Sequence, residues 1–76
     1  MTSAYVFAEF AGGDFREIMT AIRAIEGVKQ AHLVMGPTDI IAFVEAADLD
    51  ALGETVVAIL AVDGVARTDT RMAWPV

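Results

Sequence analysis

The sequence has 76 residues, no cysteine, a single histidine and a formal net charge of −6, so we expect one small domain without disulfides, thiolate metal sites or a cysteine nucleophile. The acidic balance argues against binding to nucleic acid or to anionic membrane surfaces, both of which attract basic proteins. Because a core of this size rarely supplies more than about 3–5 kcal/mol and 57% of the residues are hydrophobic, we expect another subunit to cover part of the surface.

The first half of the chain has the pattern strand, helix, strand. Aromatic and β-branched residues predict a strand over 3–10, which the glycines at 12 and 13 end. Asp14 then offers a helix N-cap, and the apolar residues that follow at spacings of 3, 4 and 3 predict one helix face. Those apolar residues are Phe15, Ile18, Ile22 and Ile25. We expect Gly27 to stop this helix and a second strand to run from Val28 to Met35.

The second half repeats this pattern. Gly36-Pro37-Thr38 predicts a turn, and Asp39 to Ala46 predict a third strand. Asp48 is the next N-cap, and the same apolar spacing recurs behind it. The recurring apolar residues are Leu49, Leu52, Val56 and Ile59. Gly64 is expected to stop the second helix, and Val65 to Trp74 form a fourth strand.

The element order β-α-β-β-α-β and an internal repeat predict a ferredoxin-like fold of the α+β class. Ile25-Glu26-Gly27-Val28 matches Val62-Asp63-Gly64-Val65, 37 residues further along the chain. Two βαβ halves of similar length build a four-stranded antiparallel sheet, and right-handed crossovers place both helices on one face of it.

The other face of the sheet is predicted to be apolar at its centre. In strands one and three, a side of small aliphatic residues alternates with a side of aromatic residues and glutamate. We assign the aliphatic side to the helices; inverting the faces would leave Val6, Ile40 and Val44 in need of cover. The open side then carries Tyr5, Phe7, Ile41 and Phe43. A patch of this kind is a subunit interface or a binding surface, and we expect a dimer at minimum.

Few residues are suited to catalysis. His32 lies in the middle of a strand among apolar residues, as a hydrogen-bonded structural residue or as a base in a small isomerase-like pocket. Glu9 and Glu45 fall on one side of neighbouring strands, where they are solvated, pair with arginine across a dimer, or form an acid–base couple. The sequence contains no metal-ligand cluster and no phosphate-binding motif. We therefore predict no catalytic residue, no metal site and no cofactor.

The loop between strands two and three is the most informative segment for function. Gly36 allows a backbone conformation that is closed to other residues, and Thr38 and Asp39 place a hydroxyl and a carboxylate beside free backbone groups. Such a loop suits a zwitterion, whose ammonium group donates to the carboxylate. Two threonines of the last strand could add hydroxyls from a partner chain, or serve only strand formation. The predicted ligand-binding residues are Met35, Gly36, Thr38, Asp39, Thr68 and Thr70.

Five short motifs follow one another along nearly the whole chain. They are Ala4-Tyr5-Val6, Ile25-Glu26-Gly27-Val28 leading into Ala31-His32, Gly36-x-x-Asp39, Leu49-x-x-Leu52-Gly53, and Asp63-Gly64-Val65-x-Arg67-Thr68-x-Thr70. Their order and spacing resemble the ligand-binding domain of the Lrp/AsnC family, also called the RAM domain. The family loop often reads Gly-Asp-Tyr-Asp, and this sequence matches it at Gly36 and Asp39 and departs from it at Pro37 and Thr38.

The resemblance implies an effector sensor with the βαββαβ fold. Family members dimerise by packing their sheets face to face, and the dimers commonly assemble to octamers. Amino acids or related small molecules bind between subunits, at the loop between strands two and three. Full-length regulators also carry an N-terminal helix-turn-helix domain, and this sequence resembles the stand-alone RAM proteins that lack it.

The resemblance therefore implies one effector-binding and oligomerisation domain over residues 1–76, with no DNA-binding domain and no enzymatic activity. It would act indirectly on transcription or metabolism, as a homo-oligomer or through mixed assembly with a full-length Lrp/AsnC regulator. The sequence has neither a basic N-terminal region nor an apolar run long enough to span a membrane, so we expect a cytoplasmic protein.

Two other functions stay open. The first is a signal-peptide-binding chaperone similar to the NapD family, which would be a monomer that binds a basic peptide at an exposed sheet edge. The second is a small oligomeric ferredoxin-fold enzyme that uses His32 as its acid–base group.

Overall fold

The computed structural model describes residues 1–75 and has the element order β-α-β-β-α-β. The strands are β1 (Thr2–Phe10), β2 (Val28–Leu33), β3 (Ile40–Ala46) and β4 (Val65–Met72), and the helices are α1 (Phe15–Arg23) and α2 (Leu49–Leu60). All neighbouring strands pair antiparallel, in the order β2-β3-β1-β4. The fold class predicted from the sequence is therefore confirmed. Neither helix of this described part is long and apolar enough to cross a membrane.

The core lies between the sheet and the two helices. Every second residue along the two central strands, β1 and β3, is buried against the helices. These residues are Ala4, Val6, Ala8, Ile40, Ala42 and Val44. Ile22 of α1 and Leu52 and Ile59 of α2 complete the fully buried cluster. The assignment of the small aliphatic sides to the helices is confirmed, and the inverted arrangement is excluded.

An aspartate begins each helix. The Asp14 carboxylate accepts hydrogen bonds from the backbone N–H groups of Arg16 at 2.9 Å and Glu17 at 3.4 Å. The Asp48 carboxylate accepts one from Ala51 at 2.9 Å. Such side chains satisfy N–H groups that have no partner within the helix and typically contribute about 1 kcal/mol each.

The helices end earlier than the apolar pattern predicts. Their C-cap residues are Ala24 and Ala61, each three residues before the glycine that was expected to stop the helix. Ile25, which completes the apolar spacing of the first helix, lies in the following turn and still packs against the core. Strands β2 and β4 are also each two residues shorter at their C-terminal ends than predicted.

The internal sequence repeat is a repeated turn. Gly27 and Gly64 have φ angles of +99° and +104°. The carbonyl of Gly27 accepts a hydrogen bond from the Glu45 N–H at 2.8 Å, and that of Gly64 accepts one from the Ala11 N–H at 2.7 Å. Each turn therefore connects the start of an edge strand to the end of the central strand beside it in the sheet. Only glycine takes this backbone conformation without strain.

Candidate functional site

The uncovered face of the sheet has an aromatic centre. Residues that oppose one another across the strands form two rows, Gln30–Phe43–Tyr5–Arg71 and His32–Ile41–Phe7–Asp69. The ring centroids of Tyr5 and Phe43 are 5.0 Å apart, and the Arg71 guanidinium lies 4.9 Å from the centroid of the Phe7 ring. Tyr5 remains 48% exposed. The four residues predicted to form the interface, Ile41 included, thus lie side by side on a face that no described element covers.

Two ion pairs lie on the β4 side of this face. Arg67 Nε is 3.2 Å from Glu9 Oε2, and Arg71 Nη2 is 3.2 Å from Asp69 Oδ2. Exposed pairs of this kind contribute only about 0–1 kcal/mol to stability. Their main effect is to neutralise two of the acidic residues next to the aromatic centre.

Glu9 and Glu45 do not form an acid–base couple, which was one of the alternatives that the sequence left open. Glu45 lies opposite Ser3 of β1, six positions along the strand from Glu9. At about 3.3 Å per residue this places the two carboxylates roughly 20 Å apart along the strand direction. Glu9 pairs instead with Arg67, within one chain rather than across a dimer.

His32 lies at the β2 margin of the open face, opposite Ile41. Its side chain is exposed, so the apolar residues that neighbour it in the sequence do not enclose it. Its neighbour across the sheet is an aliphatic residue, which offers no partner for proton transfer. In the described part of the chain, no acidic side chain lines the cleft that His32 borders, so the position lacks a carboxylate that would orient the imidazole as a catalytic base.

Asp39 fixes the loop after β2 through two hydrogen bonds, one to its backbone and one to its side chain. The Val34 N–H donates to the Asp39 backbone carbonyl at 2.7 Å, and the Phe10 N–H donates to Asp39 Oδ1 at 2.9 Å. The loop exposes Met35 completely, while Thr38 and Asp39 are half-buried. One carboxylate oxygen of Asp39 thus has a structural role, and its Oδ2 has no hydrogen-bond partner among residues 1–75.

This structural role of Asp39 was not predicted from the sequence. The pairing of β1 with β3 ends at Ala8 and Ile40. The Phe10 N–H lies just beyond this end, and the carboxylate of Asp39, the residue before β3, accepts its hydrogen bond. This contact depends on which strands meet, and no local sequence pattern indicates it.

Thr68 and Thr70 lie on the helix side of β4, opposite Ala8 and Val6. Thr68 is half-buried and Thr70 is exposed. Because β4 and β2 are the two edges of the sheet, one chain does not bring these hydroxyls to the loop that contains Asp39. A pocket with both sets of residues requires a second subunit, placed outside a contact made through the open face.

A cleft between α2, the end of β3 and the turn before β2 is lined, within residues 1–75, by acidic residues and by no basic residue. It has a volume of about 470 Å³ and is lined by Glu26, Glu45 and Glu54, among others. Thr55 also borders this cleft. Its hydroxyl donates to the backbone carbonyls of Glu26 and Ala51, each at 3.2 Å. No cluster of metal-ligating side chains occurs among the residues that the structure describes.

The comparison with protein families agrees with this geometry. The family model described as the Lrp/AsnC ligand binding domain matches residues 3–74. The chain belongs to this family. The resemblance inferred from the five short motifs is thereby confirmed over almost the full length of the sequence.

Solved structures of this domain are closely similar. A protein from Thermus thermophilus is 31% identical with a TM-score of 0.90, and the match covers 100% of this chain and 96% of that one. A hypothetical protein from Pyrococcus horikoshii is 31% identical with a TM-score of 0.86, over 97% and 90% of the two chains. Like those two proteins, this chain consists almost entirely of the ligand-binding domain. Among curated proteins, none matches it.

Longer regulators share the fold. A feast or famine regulatory protein from M. tuberculosis, complexed with L-methionine, is 22% identical with a TM-score of 0.83. The match covers 100% of this chain and 52% of that protein. At this level of identity the likeness shows a common fold only.

Proposed function

We propose that this Lrp/AsnC ligand-binding domain is a stand-alone regulatory module that forms homo-oligomers and binds an amino acid or a related small molecule between subunits. The match of residues 3–74 to the family's ligand-binding domain carries this proposal. The module is cytoplasmic and non-enzymatic, and it acts indirectly on transcription or metabolism. Mixed assembly with a full-length Lrp/AsnC regulator is the route by which it would reach DNA.

The proposed dimer packs two open sheet faces against each other. The aromatic centre formed by Tyr5, Phe7, Ile41 and Phe43 supports this arrangement, because water covers it in a single chain. Burial of such side chains contributes about 25 cal/mol for each Å² of apolar surface removed from water. Partly neutralised charges at the β4 side, where Arg71 pairs with Asp69, reduce the repulsion between two acidic chains.

The proposed ligand site is the loop that ends at Asp39. The ammonium group of an amino acid would donate to Asp39 Oδ2, and its carboxylate would accept from backbone N–H groups near Gly36 and the Thr38 hydroxyl. Thr68 and Thr70 would come from another subunit, since they face the helix side of β4. The L-methionine complex of the M. tuberculosis regulator supports an amino acid as the ligand class.

Thermal unfolding in the presence of each of the twenty amino acids tests this function. Binding to the native assembly raises the midpoint in proportion to RT ln(1 + [L]/Kd), so we expect a selective rise with one or a few amino acids. Asp39→Asn removes the negative charge but keeps an acceptor for the Phe10 N–H, so it should abolish the rise while changing the ligand-free midpoint little. Asp39→Ala should also lower the ligand-free stability, by about 1–3 kcal/mol, because the N–H loses its acceptor.

Two results would contradict the proposal. A stable oligomer that shows no shift with any amino acid is not an amino-acid sensor. A full shift that persists in Asp39→Asn places the ligand away from this loop.

No observation favours the two other functions. Arg23 donates from both Nε and Nη2 to the Ala31 carbonyl, at 3.0 and 2.8 Å, and so covers part of β2, one of the two sheet edges at which a chaperone would bind a peptide strand. His32 is exposed and borders a cleft whose lining, among the described residues, contains no acidic side chain to orient it as a general base.

A further inference from the structure

A cleft on the outer edge of β2 collects basic side chains. It has a volume of about 390 Å³ and lies where the last turn of α1 meets the strand. It is lined by Arg23, Val28, Lys29, Gln30, Ala31 and His32. Three of the six basic side chains in the sequence thus border one cleft, and none of the eleven acidic side chains does.

The other basic residues are engaged elsewhere. Arg67 and Arg71 form the two ion pairs of the described chain, with Glu9 and Asp69. The Arg16 guanidinium lies 5.0 Å from the centroid of the Phe15 ring, on α1. Of the three arginine and lysine side chains without an acidic partner among residues 1–75, two, Arg23 and Lys29, therefore border this cleft, although the chain as a whole carries a charge of −6.

Arg23 is held in place before any ligand arrives. Its Nε and Nη2 donate to the Ala31 carbonyl at 3.0 and 2.8 Å. A guanidinium has five N–H donors, so three remain for another acceptor. Fixing the side chain in advance lowers the conformational entropy lost on binding.

Lys29 lies in the cleft because β2 is irregular. The register with β3 shifts between Val28 and Gln30, so Lys29 is the residue left out of the pairing. The bulge therefore gives Lys29 a place at the strand edge, next to the segment that Arg23 contacts.

We propose that this cleft binds a small anion with two negative charges, a phosphate or a dicarboxylate. Two permanent cations and a histidine match such a charge, and the donors of Arg23 suit its oxygen atoms. An added peptide strand fits less well, because it would have to displace Arg23 from the Ala31 carbonyl. The site lies apart from the loop that contains Asp39, so it does not depend on the proposed amino-acid binding. Among its lining residues only Gln30 and His32 also belong to the two rows of the open face.

Backbone amide NMR titrations of the full chain with inorganic phosphate and with succinate, in separate samples, test this site. Acetate at matched ionic strength is the monoanion control. We expect saturable shifts confined to Arg23 and residues 28–32 with at least one dianion, and a loss of affinity at high salt because the basic groups are exposed. The dianion that binds more tightly identifies the ligand as a phosphate or a dicarboxylate.

Two charge-reversal variants test whether the dianion binds at the β2 edge. Lys29→Glu should weaken the binding of the dianion by more than tenfold, whereas Arg16→Glu, with the same change in net charge, should alter it less than twofold. Equal weakening in both variants would overturn the proposal, because only the net charge would then matter. Shifts that are absent, or no larger than with acetate, would also overturn it. Amino-acid binding measured by thermal unfolding should persist in Lys29→Glu, which separates this test from that of the proposed function.

Discussion

Gly64 occupies the most crowded of the tight turns. A Cβ built on this residue would collide with the Ile18 side chain and lie 2.9 Å from the Gly12 carbonyl oxygen. Its φ of +104° is also strained for any residue that has a Cβ. Gly27 is similar, since a Cβ there would lie 2.7 Å from Thr55 Oγ1. Both positions therefore combine a backbone requirement with a steric one.

Gly64→Ala should destabilise the protein by about 2–4 kcal/mol, the sum of a strained backbone and an overpacked contact. Gly53→Ala is the matched control, because Gly53 lies within α2 and a Cβ there meets nothing within 4 Å. The control should stabilise the protein by about 0.5–1 kcal/mol, since alanine is the better helix former. Urea unfolding measures both, and an unchanged midpoint in Gly64→Ala would contradict the packing described for this turn.

The roles of single side chains were the least predictable part of the structure. The bond from the Phe10 N–H to Asp39 depends on where the pairing of β1 with β3 ends, and the contact of Arg23 with Ala31 depends on how α1 crosses β2. Both are tertiary contacts that leave no periodic pattern in the sequence. The aromatic centre, by contrast, followed from simple alternation along two strands, because successive strand residues point to opposite faces.

At the scale of elements, the stability of each helix depends on its length and on its N-terminal cap. α1 has nine residues and α2 has twelve, and isolated helices of this length are marginal in water. Each depends on its aspartate cap and on the face it buries. The element types and order were predictable from strand alternation and helix periodicity. The positions of the helix ends were not predictable, because Gly27 and Gly64 lie in the turns after the helices and not directly at their ends.

Asp48→Ala should lower the free energy of unfolding by about 1 kcal/mol, because the Ala51 N–H loses its acceptor at the start of α2. Asp50→Ala removes the same charge from the first turn of α2 but leaves the capping bond of Asp48 in place, and it should cost less than about 0.5 kcal/mol. Chemical denaturation with a common m-value compares the two variants. Equal losses would show that charge, and not the capping hydrogen bond, stabilises this end of the helix.

At the scale of the whole molecule, one face remains uncovered although the chain itself is compact. The radius of gyration is 11.5 Å, close to the roughly 11.4 Å expected for a folded domain of this length. The chain is therefore fully folded, and the aromatic centre is not exposed because of incomplete packing. The high hydrophobic content predicted such a face, but the sequence of one chain does not contain the geometry of a second subunit, so the partner's position was not predictable.

The molar mass in solution, measured by light scattering at micromolar concentration, tests the central claim most directly. We predict at least twice the 8.1 kDa of the chain, because two open sheet faces cover each other. Tyr5→Glu places a charge in the aromatic centre and should shift the mass towards the monomer, whereas Val57→Glu, on the exposed side of α2, should leave the dimer intact. A wild-type protein that remains at 8.1 kDa would contradict the account, since no site between subunits could then form.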